Sequence, residues 1–335
     1  MNILLTGGLG FIGSHTAAVL TQGNHHVVLL DNLSNCQIGV LGSLEKIIGK
    51  RLDFIEGDVR DIPLVERLLS DHHIDVVIHF AGLKAVGDSN TDPINYYSNN
   101  VAGTISLIQA MQACGLGRMI FSSSATVYGD PVYLPYDEAH PTSPTNPYGR
   151  TKLQCEEILR DQVKANPSWS VACLRYFNPV GAHPSGLIGE DPFGVPNNLM
   201  PYVAQVASGK LERLSIFGDD YETQDGTGER DYIHVMDLAE GHASALDLVK
   251  VQNGFFAINL GSGLPISVLA LVLAFEKVSG KKIPYAIAPR RAGDLPSYFA
   301  KPDMAKIVLH WQTQRSLIDM CSSMWNYQKI SHGAD

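Results

Sequence analysis

The chain has 335 residues, 45% of them apolar and 18% charged, with a formal net charge of −9 and a pI near 5.7. That balance supports one large domain or two ordinary ones and excludes wholesale disorder. It also argues against a nucleic-acid or anionic-membrane surface, because such partners demand a basic face.

The first half alternates short apolar runs with segments of helical period. Residues 2–6 (NILLT), 26–31 (HVVLLD), 52–58 (LDFIEGD), 75–82 (DVVIHFAG) and 119–124 (MIFSSS) read as strands, and helices are expected near 11–22, 61–72 and 93–114. Strict alternation predicts a parallel sheet with helices on both faces and ligands at the carboxyl ends of its strands. A helix from about 147 has Pro147 near its first turn, and 170–177 (SVACLRYF) reads as the next strand. Residues 178–198 are crowded with Gly and Pro and read as a long ordered loop. Beyond it come a helix at 199–209, a short strand at 213–218, a helix at 235–249 and a strand at 255–261. Helices near 267–279, 302–308 and 316–327 complete the pattern, with no internal repeat or flexible linker. The expected fold is α/β: a doubly wound parallel sheet over 1–177 and a smaller mixed α/β domain over 178–335. A segment around 232–262 is the candidate to return to the first domain.

Cys36, Cys114, Cys155, Cys173 and Cys321 are odd in number, widely spaced and lack a C-x-x-C, which suits buried thiols in a reducing compartment. No apolar run approaches the ~18 residues of a membrane span, and NILLT looks like a core strand rather than a signal peptide. A cytoplasmic protein is expected. The adjacent pairs His25–His26 and His72–His73 lack a Cys or carboxylate at ligand spacing, so no metal is expected. His79 and His234 sit in apolar contexts and read as packed, hydrogen-bonded histidines.

Residues 6–15, TGGLGFIGSH, follow the first strand and open a helix. Gly8, Gly10 and Gly13 fit G-x-G-x-x-G, and Gly7, Gly10 and Gly13 fit the wider G-x-x-G-x-x-G. The glycines permit a tight turn and close approach to a pyrophosphate seated on the helix N-terminus. Asp31 ends the second strand. It can accept from a ribose 2′-hydroxyl and would repel a 2′-phosphate, which favours NAD over NADP. Asp58 ends the third strand, where a carboxylate either reaches the adenine end or simply forms a turn.

Tyr148 and Lys152 stand four residues apart on one helical face. A free phenol has a pKa of about 10, so about one in a thousand is ionised at pH 7. A cation some 5 Å away at an effective dielectric of ~20 contributes about 3 kcal/mol, a little over two pKa units. That falls short of neutrality, and a second positive charge such as oxidised nicotinamide would supply the rest. The pair therefore suits a base acting on a sugar alcohol that is losing hydride. Ser124, in the SSS strand end, would orient the alcohol and relay its proton, while at least one of Ser122 to Ser124 bonds the strand end.

TGGLGFIGSH, DNLSN, GDVRD, HFAGLKAVGDS, SSSATVYGD, PYGRTK, LRYFNPVGAHPSG, PNNLMPY, DYIHVMDLA and APRRAGDLPSY together resemble the UDP-glucose 4-epimerase family of extended short-chain dehydrogenase/reductases, over residues 1 to about 325. The glycine loop and Y-x-x-x-K are shared across the superfamily; the stretches at 79–89, 174–186 and 196–202 are specific to the epimerases. Phe11, where Tyr is frequent, and a loop one residue short before Tyr148 depart from the pattern and remove no functional group.

The resemblance implies a Rossmann-type domain, a UDP-sugar-binding domain, tightly bound NAD and a homodimer. It implies interconversion of UDP-glucose and UDP-galactose through a 4-keto sugar, with Tyr148, Lys152 and Ser124 catalytic. It assigns NAD contacts to Gly7, Gly10, Phe11, Ile12, Gly13, Asp31, Asn32, Asn35, Asp58, Val59, Phe80, Ala81, Lys84, Asn99 and Phe177, besides the catalytic three. Lys84, Ser124 and Tyr148 also face the sugar. Asn178, Asn197, Asn198 and Leu199 would line the nucleotide, Phe217 the uracil, Arg230 and Arg291 the diphosphate, and Asp294 the ribose. Tyr298 matches the position that limits sugar size, which implies preference for sugars without a 2-acetamido group. The alternatives are an epimerase of N-acetylated UDP-sugars, a 4,6-dehydratase and a non-catalytic NAD-binding regulator. Dehydratases carry an Asp–Glu pair after the strand-end hydroxyl, where this chain has Ala125 and Thr126. Such regulators tend to have lost the Tyr or Lys.

Overall fold

A computed structural model of the chain describes residues 1–333 apart from 193, 195 and 292. The first half runs β1 (Asn2–Thr6), α1 (Phe11–Gln22), β2 (His26–Asp31), α2 (Gly39–Ile48), β3 (Asp53–Glu56), α3 (Ile62–Asp71) and β4 (Val76–His79). It continues with α4 (Val86–Thr91), α5 (Pro93–Tyr96), α6 (Ala102–Ala113), β5 (Arg118–Ser124), α7 (Pro147–Ala165) and β6 (Ser170–Tyr176). A π-helical turn, Tyr97–Val101, joins α5 to α6, so the single helix expected over 93–114 is interrupted. Helices α2 and α4 had no counterpart in the sequence reading.

The second half holds β7 (Asn178–Val180), α8 (Leu199–Ala207), β8 (Leu214–Phe217), β9 (Glu229–His234), α9 (Val235–Val251) and β10 (Gly254–Leu260). Then come β11 (Pro265–Ser267), α10 (Val268–Ser279), β12 (Tyr285–Ala288), β13 (Ser297–Tyr298), α11 (Asp303–Val308) and α12 (Leu317–His332).

The main sheet is seven-stranded and parallel, in the order β10-β6-β5-β4-β1-β2-β3. Both faces are covered, which is why its strands read as unbroken apolar runs. Ile3, Leu5, Val76 and Ile78 pack with α1, α2 and α9, while Leu4 and Val77 pack with α3, α6 and α7. Strand β10 pairs residue by residue with β6, so 254–260 lies in the large sheet although it follows much of the second half.

The remaining strands form a smaller sheet around β9, flanked by antiparallel β11 and by parallel β13 and β7, and a separate β12-β8 pair. A third apolar cluster joins α8, α10 and α12 beneath them. The expected loop over 178–198 opens with β7 and turns back through a bridge between Ala182 and Gly189. Among the described residues, no helix is long and apolar enough to cross a membrane.

Candidate active site

The N-cap of helix α1 is Gly10, which has no side chain to cap it. Its first-turn N–H groups have no intrahelical partner and face a bend of bare backbone. Gly7 has φ +69°, a left-handed conformation natural to glycine, and a Cβ there would come within 2.7 Å of Ala81 N. At Gly13 a Cβ would lie 2.3 Å from the Gly7 carbonyl oxygen. A side chain at either position would collide with neighbouring backbone, so this tight turn requires glycine and leaves the bare start of α1 as a cradle for a dinucleotide pyrophosphate.

Asp31 is buried at the end of β2, its carboxylate accepting from Leu9 N and Leu33 N, each at 3.0 Å. Asp58 is gripped by Arg60, whose Nε and second terminal nitrogen donate at 2.9 and 2.7 Å, and Asn32 donates at 3.1 Å. Those bonds hold the Asp58 carboxyl well below the usual carboxylate range. Asp31, Asn32 and Asp58 thus stand together beside the cradle, which fits the ribose and adenine end of NAD. Val59 is buried, Phe11 and Ile12 are half-buried in the first turn of α1, and Phe80 packs on His242 with ring centroids 4.8 Å apart. Asn35 and Asn99 make no side-chain hydrogen bond among the described residues.

Tyr148 and Lys152 lie in the first two turns of α7. Asn146 caps that helix by accepting from Gly149 N at 2.9 Å, and Pro147 supplies a preset φ. Lys152 is buried, and its ammonium donates to the Ser122 carbonyl oxygen at 2.7 Å. Burial lowers its pKa to about 8. Burial pushes the Tyr148 phenol up, and a hydrogen bond with Ser124 opposes that shift. The expected pairing, in which Lys152 lowers the phenol, is not what governs it here: the ammonium is turned to Ser122. Ser124 caps a 3-10 turn at Ala125–Val127, accepting from Thr126 N at 3.2 Å.

The cradle and this cluster are neighbours. Ala81 lies against Gly7, and a Cβ on the next residue, Gly82, would sit 3.7 Å from the Lys152 ammonium. Asn100, which the sequence reading missed, fixes that junction. It accepts from Leu83 N at 2.8 Å and donates to Leu83 O and Thr151 Oγ1, both at 3.0 Å. Beneath the cluster lies a fully buried ion pair, also missed. Arg175 donates to both Glu156 oxygens at 2.9 and 2.6 Å, Ser123 donates to Glu156 at 2.5 Å, and Arg175 reaches Tyr128 at 3.0 Å. These bonds tie α7, β5 and β6 into one rigid floor.

The second-half residues gather separately. The Arg291 guanidinium lies 4.8 Å over the Phe217 ring and pairs with Asp294 at 2.8 Å, and Arg230 is 3.5 Å from the same carboxylate. Arg230 also donates to the Leu295 carbonyl at 2.9 Å. Arg290, unread in the sequence, stacks on Tyr221 at 4.1 Å and pairs with Asp220. Tyr298 packs on Tyr136 and Phe177 at 4.8 and 5.4 Å, its hydroxyl buried without a partner among the described residues. Asn178 starts β7, Asn197 and Asn198 are exposed, and half-buried Leu199 opens α8. Asn198 and Lys84 both reach Glu190. His79 bonds Thr6 and Thr104 at 2.6 and 3.1 Å, and His234 bonds Ser323 at 2.9 Å, as packed histidines do.

Known proteins resemble this chain over its whole length. A UDP-glucose 4-epimerase of Bacillus subtilis is 56% identical, over 98% of this chain and 97% of its own. One from Erwinia amylovora is 54% identical over the whole of both chains. The solved UDP-glucose 4-epimerase of Stenotrophomonas maltophila, with bound NAD and formylated UDP-arabinopyranose, superposes with a TM-score of 0.98 at 46% identity, all of each chain covered. That of Bifidobacterium longum, in complex with NAD+ and UDP, gives 0.95 at 49%, again over both full chains. With its residues 3–261 matching the family profile and these relatives spanning its length, the chain belongs to the NAD dependent epimerase/dehydratase family.

Proposed function

We propose that this chain is a UDP-glucose 4-epimerase that holds NAD and interconverts UDP-glucose and UDP-galactose. The observation that carries the reading is the contact between the two halves of the site: Ala81 and Gly82 lie between the glycine cradle and Lys152. A dinucleotide seated on α1 therefore ends beside Tyr148 and Ser124.

Bound NAD supplies the acceptor, and then the donor, of the hydride at C4. Tyr148, once ionised to its phenolate, takes the proton of the C4 alcohol as the C4 hydrogen leaves as hydride, giving a 4-keto sugar and the neutral phenol. Ser124 orients that alcohol and relays its proton. Lys152 adds positive charge behind the phenol. After the sugar turns over, Tyr148 returns the proton and the net redox change is zero. A sugar that must rotate is held loosely, so binding belongs to the UDP end. Phe217, Arg230, Arg291, Asp294, Asn178, Asn197, Asn198 and Leu199 take that role, and Arg forks suit diphosphate oxygens. Gly7, Gly10, Phe11, Ile12, Gly13, Asp31, Asn32, Asn35, Asp58, Val59, Phe80, Ala81, Asn99 and Phe177 serve NAD, and Lys84 serves both ligands. Tyr298 crowds a 2-acetamido group. Ala125 and Thr126, directly after Ser124, offer no carboxylate for dehydration.

We read residues 1–177, with β10 returned to them, as the NAD domain and the rest as the UDP-sugar domain. A homodimer is proposed from the exposed Ile94 and Ile105 along 93–113, and a cytoplasmic role in galactose metabolism from the five free cysteines and the sugar chemistry. Purified protein, incubated with UDP-galactose and no added NAD, should form UDP-glucose, and denaturation should release NAD. No conversion by protein shown to be NAD-loaded rejects the reading.

A further inference from the structure

Glu190 follows the turn closed by the Ala182–Gly189 bridge, and its position is fixed from below. Ile188 is buried, and a Cβ at Gly189 would lie 2.6 Å from the Tyr327 ring. One carboxylate oxygen, Oε1, accepts from Lys84 Nζ at 2.8 Å and from Asn198 Nδ2 at 2.7 Å. Lys84 lies two residues beyond Gly82, which adjoins the Lys152 ammonium. Asn198 stands at the N-terminus of α8, where its side chain makes no cap and is turned to Glu190 instead. One buried oxygen thus joins the loop after β4 to the start of a second-half helix, 106 and 8 residues away in sequence.

The other oxygen, Oε2, is buried and has no hydrogen-bond partner among the described residues. An acceptor left so is a cost to stability. The Lys84 side chain, by contrast, is half exposed, with its charged end held by the buried anion.

We infer that Glu190 is a positioning residue for nucleotide-sugar binding: it holds the Lys84 ammonium and the Asn198 amide at set places across the cleft, and so couples cofactor-side and nucleotide-side contacts. This rests on the proposed epimerase reading for the identity of the ligand. Because Glu190 acts through its two partners and not on the reacting carbon, it governs binding and leaves the chemical step alone.

The test uses full-length, NAD-loaded Glu190→Ala and Glu190→Gln, with UDP affinity measured by calorimetry and KM and kcat measured on UDP-galactose. In Glu190→Ala, UDP binding should weaken about tenfold and KM rise alike, with kcat within about threefold. Glu190→Gln keeps an acceptor for Asn198 but no charge for Lys84, so it should fall between. Adding Lys84→Met to Glu190→Gln should cost less than the two single changes combined, because the second removes what the first has already lost. Unchanged UDP affinity in folded Glu190→Ala overturns the inference, and so does a collapse of kcat at constant KM. Calorimetry separates the two readings: wild-type protein that fails to convert UDP-galactose rejects the epimerase, while weakened UDP binding in Glu190→Ala still upholds the role of Glu190.

Discussion

Lys152 directs its ammonium at the Ser122 carbonyl oxygen, 2.7 Å away, and lies 6.0 Å from the centroid of the Tyr148 ring. The lysine is thus poised behind the phenol, not bonded to it, and burial keeps Tyr148 protonated in the ligand-free protein. Tyr148→Phe should keep bound NAD and lose about 10²–10⁴-fold in kcat, the usual worth of a positioned proton acceptor. NAD release on denaturation and turnover of UDP-galactose check both halves of that expectation. Unchanged turnover would put the base elsewhere.

Lys152 carries its charge below a pKa of about 8, lowered from the ordinary 10.5 by burial. Because kcat/KM reports groups of the free enzyme, its alkaline limb should fall near pH 8. Stability should move oppositely. Between about 8 and 10.5 the folded lysine has lost its proton while the unfolded one keeps it, so folding strengthens as pH rises through that window. Parallel pH profiles of kcat/KM and of the urea midpoint check the pair.

Acid should act through four buried imidazoles. Burial holds His15, His79 and His234 down to about 3 and His242 to about 4. These groups stay neutral in the fold, while the unfolded chain takes up protons below about 6.5. Stability is therefore lost as pH falls from 6.5 toward 4, at about 1.4 kcal/mol per pH unit for each group and about 5.6 for all four. Urea midpoints measured from pH 7 to pH 4 should fall steeply, and a flat profile would mean that the imidazoles are protonated in place.

The cradle predicts a contrast between two glycines. At Gly13 a new Cβ meets the Gly7 carbonyl at 2.3 Å, whereas at Gly87, in α4, nothing lies within 4 Å. Gly13→Ala should purify with little nucleotide. Gly87→Ala should keep its NAD and gain about 0.4–1 kcal/mol of stability from reduced freedom of the unfolded chain. Nucleotide content and thermal midpoints of the two variants decide the matter.

Tyr298 fills its corner against Tyr136 and Phe177. Tyr298→Ser should open room for a 2-acetamido group and confer turnover of UDP-N-acetylglucosamine. The lost ring contacts should cost about 3–5 kcal/mol of stability, the range for truncating a packed aromatic. No gain of turnover in a folded variant removes Tyr298 as the sugar-size limit.

The strands of the large sheet were legible because both faces are buried, which leaves runs such as Ile3–Leu5 with no polar interruption. Helix α7 was legible at its start from Pro147, with Asn146 as the cap behind it. Helix α2 was not, since Gly39 and Gly42 lie inside it, and α4 is six residues with little apolar character. Strands β7, β11 and β13 have three, three and two residues, too few to show a period. The glycine loop and the Tyr148–Lys152 spacing could be read because each lies on one short stretch of chain, whereas the turning of the Lys152 ammonium to Ser122, 30 positions away, could not. Glu190, Glu156 and Arg175 could not, because each takes its meaning from partners remote in sequence, as Glu190 does from Lys84, 106 positions away.

Strand β10 closes the edge of the large sheet after the polypeptide has already left it to build β7, α8, β8 and β9. Severing the gene after β6 would strip that edge of its neighbour and leave a row of unpaired amides and carbonyls open to aggregation. The large sheet is thus completed only by a strand that follows most of the second half, so residues 1–177 alone should not yield a usable protein.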